Sequence, residues 1–78
     1  MSRSSRPDVR NPILRLPSSR RLLALSPVLR AELRAVLLDI RADAQIRAQD
    51  CWKRHKGPMA LYWKTLATYV GHIAKLLR

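Results

Sequence analysis

Gly57-Pro58 is the only Gly-Pro step in the chain, and it interrupts an otherwise continuous helical pattern. Proline removes a backbone donor and its ring clashes with the preceding turn, so a helix running into it must stop. Glycine tolerates the reversal of direction. Two apolar-periodic segments joined by so short a break must pack antiparallel. The expected class is therefore all-α. It comprises a helical hairpin over about 27–56 and 58–78, a short preceding helix over about 19–25 and an extended basic N-terminal arm.

The boundaries follow from local chemistry. Ser26-Pro27 starts the long helix, with serine as cap and proline at a first-turn position that needs no donor. Ser18 or Ser19 is expected to cap the short helix. Pro7, Pro12 and Pro17 bias the residues before them away from helix. Residues 1–17 accordingly read as an arm, and 18–78 as one small helical domain. Within the arm, Ile13, Leu14 and Leu16 are expected to dock, either on the hairpin's own core or on another chain.

Spacing by threes and fours selects Leu29, Leu33, Val36, Leu37, Ile40, Ala44, Ala48, Cys51 and Trp52 as the apolar stripe of the long helix. On the last helix three rows repeat every seven residues: Met59, Leu66 and Ile73; Tyr62, Tyr69 and Leu76; Trp63, Val70 and Leu77. These rows predict a seam in which Trp52, Tyr62, Trp63 and Cys51 lock the closed end. Ala48 is expected near Leu66, Ala44 near Tyr69 and Val70, and Ile40 near Ile73. The long helix overhangs its partner, and the short helix is placed to close that end. Two faces are left over as protein interfaces: Leu38 with Ile46, and the small-residue strip Ala67, Gly71 and Ala74.

A chain of 78 residues buries only ~60% of its unfolded surface. Its single cysteine allows no internal disulfide, so oligomerisation or folding on a partner is favoured. Charge is distributed in blocks. Residues 1–26 carry six Arg against Asp8, residues 27–50 balance four Arg against four acids, and residues 51–78 carry six cations and no acid. Cationic ends around a neutral middle favour polyanions.

Catalysis finds little support. Cys51 and His55 share a helix face, but zinc needs two further ligands that the sequence does not place nearby. A Cys-His nucleophile needs an orienting third group, and two glycines cannot build a phosphate loop. No cofactor, no metal and no enzymatic activity are expected.

The strongest functional signal is the basic tip of the hairpin. Lys53, Arg54, Lys56 and Lys64 surround the bend, and Arg3, Arg6, Arg10, Arg20 and Arg21 add a second cationic region. Such groups contact phosphate backbones. The leading expectation is a nucleic-acid-binding accessory protein. The alternative is a protein-interaction module: a homodimer, or a subunit docking on a larger assembly or an acidic protein surface. A membrane-surface cation fits less well, because residues 27–50 are neutral. No run of 18 apolar residues provides a transmembrane helix. A cytoplasmic location is expected, with mitochondria as the alternative because the N-terminus is rich in Arg and Ser. The size and plain helical design are those common among small phage and accessory proteins.

Overall fold

The computed structural model describes residues 11–78. The expected contacts Arg3, Arg6 and Arg10 lie outside the described residues. Three α-helices follow a short 3-10 turn: α1 (Ser19–Leu23), α2 (Pro27–Lys53) and α3 (Gly57–Leu76). Helices α2 and α3 pack against each other as a hairpin. Among the described residues no strand occurs, and no helix is long and apolar enough to cross a membrane.

Residues 12–15, expected as extended arm, instead form the 3-10 turn Pro12–Arg15. Asn11 is the cause. Its Oδ1 accepts from the Ile13 amide at 3.2 Å, and its Nδ2 donates to the His72 carbonyl at 2.8 Å. The side chain thus caps the turn and ties it to α3. Ile13 is buried beneath it, Leu14 is half-buried and Leu16 is exposed. Ile13 therefore covers the hairpin's own core. Helix α1 and this turn pack on α3. The short helix does not cover Val28 and Leu29 at the overhanging start of α2, which stay exposed. Ser18 makes no capping hydrogen bond, whereas the Ser26 hydroxyl accepts from the Leu29 amide at 3.3 Å as expected.

The bend is made differently from the sequence expectation. Glycine does not supply the left-handed residue; His55 does, at φ 60°. The His55 amide donates to the Trp52 carbonyl at 3.1 Å and the Lys56 amide to the Cys51 carbonyl at 2.8 Å. Those two bonds are a Schellman motif, which satisfies the last carbonyls of α2. Gly57 is already in the first turn of α3.

The seam keeps part of the expected stripe, Leu37, Ala44, Ala48 and Cys51 on α2 and the row Trp63, Val70 and Leu77 of α3, but is turned toward the small residues of α3. The buried positions of α3 are Ala60, Ala67, Val70, Gly71 and Ala74, with Leu77 just beyond its end. Together with half-buried Trp63 they form two rows of period seven, Ala60-Ala67-Ala74 and Trp63-Val70-Leu77. Small residues in one row let α2 approach closely while the second row fills the space beside it. On α2 the facing positions are Leu37, Ala44, Ala48 and Cys51, of which Ala44 is buried and the rest half-buried. The strip Ala67, Gly71 and Ala74, expected as a partner surface, is therefore the hairpin's own interior. Conversely Trp52, Tyr62, Tyr69, Met59, Val36 and Ile40 are exposed, although the sequence stripe placed them in the seam. The register stays close to expectation, with Arg41 against Gly71 and Arg47 against Trp63.

Candidate polyanion-binding groove

The close approach of α2 and α3 leaves an open groove along one side of the hairpin, enclosing about 1010 Å³. Its floor is the alanine seam: Ala48, Ala60, Ala67 and Gly71. Four cations, Arg41, Lys53, Lys64 and Lys75, line it, and no acidic side chain does. Gln45, Gln49, Thr68 and His72 supply further polar groups, and Trp52 and Leu61 also line it.

Helical geometry explains the separation of charge. Arg41 has no acid three or four residues away on either side. By contrast, Arg47 is paired with Asp43 at 3.0 Å and Arg54 with Asp50 at 3.3 Å. The hydrogen bond from Arg47 to Asp43, and then the carboxylate charge, push the Arg47 guanidinium above its ordinary value. Arg47 also lies 5.2 Å over the Trp63 ring, which meets Tyr62 edge-on at 5.4 Å. All acids of the 43–50 segment are thus engaged on the side away from the groove. Both of these ion pairs are exposed, so each contributes little to stability. What they do is leave one face of the hairpin neutral and the other cationic.

The cations form a row. With Arg47 opposite Trp63 and Arg41 opposite Gly71, Lys53 lies level with Gly57. From the tip inward the order is Lys53, Lys64, Arg41, Lys75. At 1.5 Å per residue this row spans ~27 Å.

Of the residues singled out from sequence, Lys53 and Lys64 are brought into the groove. Arg54 is turned to Asp50, and Lys56 is exposed at the bend beyond the groove lining. Arg20 and Arg21 are exposed on α1 and do not line it. Leu38 is half-buried, and Ile46 stands 65% exposed on the outer side of α2. Sequence reasoning missed Arg41, Lys75 and Trp52 as site residues. Arg41's lack of an acidic neighbour at helical spacing was the available signal for it. For Trp52, the row Leu37-Ala44-Cys51 places it one position off the seam, and it is 70% exposed.

Among the described residues no three His, Cys, Asp or Glu side chains gather to hold a metal, and Cys51 is a half-buried free thiol. No family model matches the chain, and comparison with curated proteins and with solved structures finds no significant match.

Proposed function

We propose that this chain is a nucleic-acid-binding protein that lays a single strand along the α2–α3 groove. The observation that supports it is the acid-free row of Arg41, Lys53, Lys64 and Lys75 beside an aromatic ring left largely in solvent. Phosphate contact by such cations is independent of base identity. An exposed indole beside a cationic track is the feature that single-strand binders use for stacking, and stacking is tolerant of sequence. A mixed groove of this kind favours a flexible strand whose bases can turn toward Trp52 over a rigid duplex.

The reading is tested by titrating the chain with a short oligonucleotide, and separately with heparin, over a range of salt. Four phosphate contacts on a single strand give a slope of about −3 in log K against log salt. Lys64→Ala or Arg41→Ala is expected to shallow that slope by about 1. Trp52→Ala is expected to weaken the oligonucleotide by about 1–3 kcal/mol and leave heparin unchanged, since heparin offers no base to stack. A salt-insensitive affinity, or equal losses for Arg54→Ala and Lys64→Ala, would sink the groove as the site.

A further inference from the structure

The side of the hairpin opposite the groove carries a second feature. Leu29, Val36 and Ile40 recur at helical spacing along α2, and Met59, Tyr62 and Tyr69 do so along α3. Arg47 belongs to the same stripe of α2, and its contact with Trp63, which meets Tyr62 edge-on, brings Tyr62 to the side of the α2 stripe, with Tyr69 one heptad further along α3. All six apolar side chains are between 41% and 59% exposed. We propose that a second copy of this chain covers this face, forming a symmetric dimer whose two cationic grooves point outward.

Three observations select that occupant. The first is area. Six half-exposed aliphatic and aromatic side chains offer on the order of 600 Å² of apolar surface. Half-buried Leu33, Leu66 and Ile73 extend the stripe. The sum approaches the ~800 Å² that each partner contributes to a standard interface. The second is the thin interior. Among the described residues only Ile13, Val70 and Leu77 of the large apolar side chains are buried, while twelve others stand exposed, so the hairpin by itself leaves most of its large apolar surface in water. The third is charge. A chain of net charge +11 repels its own copies. On this side, however, Asp43 neutralises Arg47 and Asp50 neutralises Arg54, and the α3 stripe carries no charge. It is the side on which two such cationic chains can meet. An isologous contact needs one patch that complements itself, and a neutral apolar face with Tyr hydroxyls at its margin meets that requirement.

The experiment is sedimentation equilibrium on the full chain, freed of nucleic acid, over a hundredfold concentration range at low and high salt. The expected mass is twice the 9.0 kDa of one chain, with the dimer favoured at high salt because residual repulsion is screened. The melting temperature of the unmodified chain is expected to rise with its concentration, a readout that needs no variant. Tyr62→Glu with Tyr69→Glu is expected to lower the dimer population at least tenfold, whereas Trp52→Ser on the groove side leaves it unchanged. A monomer with a concentration-independent melt overturns the proposal. So does a dimer that Trp52→Ser disrupts and the tyrosine pair does not, or an open series of oligomers. None of these readouts involves a polyanion, so their failure leaves the groove reading intact.

Discussion

His55 is the residue on which the bend turns. A non-glycine residue in the left-handed region costs about 1–2 kcal/mol, and His is among the few side chains enriched there. Glycine two positions later is free of any such duty: a Cβ built on Gly57 meets nothing within 4 Å. The two sites therefore respond in opposite senses to a glycine exchange. His55→Gly is expected to stabilise the hairpin by about 1 kcal/mol by relieving the strained φ. Gly57→Ala is expected to be neutral or to stabilise by up to about 1 kcal/mol by restricting the unfolded chain. Urea unfolding of both variants measures this, and a loss above 1 kcal/mol for Gly57→Ala would return the turn to glycine. The position of the bend was legible from Gly57-Pro58. Which residue takes the positive φ was not, because the Schellman pattern counts back from the last turn of α2 and passes over the glycine.

At the scale of the element, length and direction are readable in the sequence and the packing face only in part. The Ser26-Pro27 start, the end before Gly57-Pro58 and the antiparallel pairing each rest on local backbone chemistry that one sequence carries. The row Trp63-Val70-Leu77 is legible in the sequence, but hydrophobicity ranks Tyr62, Tyr69 and Met59 above Ala60, Ala67 and Ala74, and so hides the second row of the seam. A hairpin of two helices can hide only a narrow seam, and close backbone approach fills it best with small side chains. Large apolar groups then flank it. Ala74 is 2% exposed, so Ala74→Leu must push α2 and α3 apart, at a cost of about 1–3 kcal/mol. Leucine at Leu61's exposed neighbour Thr65 should change stability by less than about 0.5 kcal/mol. Equal urea midpoints for the two leucine variants would show that the alanine strip is not the seam. The polar anchor at Asn11 was equally invisible in sequence. Its partner is a backbone carbonyl 61 residues away, and no spacing rule points to such a bond.

At the scale of the whole molecule, the described residues form a thin plate, 41 × 37 × 18 Å, with unlike sides. A net charge of +11 favours polyanions in general, but does not say where one would bind. That requires knowing which cations keep their charge unopposed, and helix phase decides it: Arg47 and Arg54 meet acids four residues back, while Arg41 and Lys75 do not. If the neutral apolar side pairs two plates and the grooves face outward, nucleic acid meets a bivalent particle. The two grooves are then separated by ~36 Å, twice the 18 Å thickness. An oligonucleotide just long enough to line one ~27 Å groove must bind at two per dimer with a single affinity. A strand that can also pass round the edge of the plate binds its second groove intramolecularly, at an effective concentration in the millimolar range for a short flexible connection. Apparent affinity is therefore expected to rise in a step with strand length, by a factor of 10² or more, with the stoichiometry falling from two strands per dimer to one. The Tyr62→Glu, Tyr69→Glu chain should keep the short-strand affinity and lose the step. A smooth rise with length in both forms, checked by anisotropy titration against a ladder of single strands, would mean that the grooves act singly.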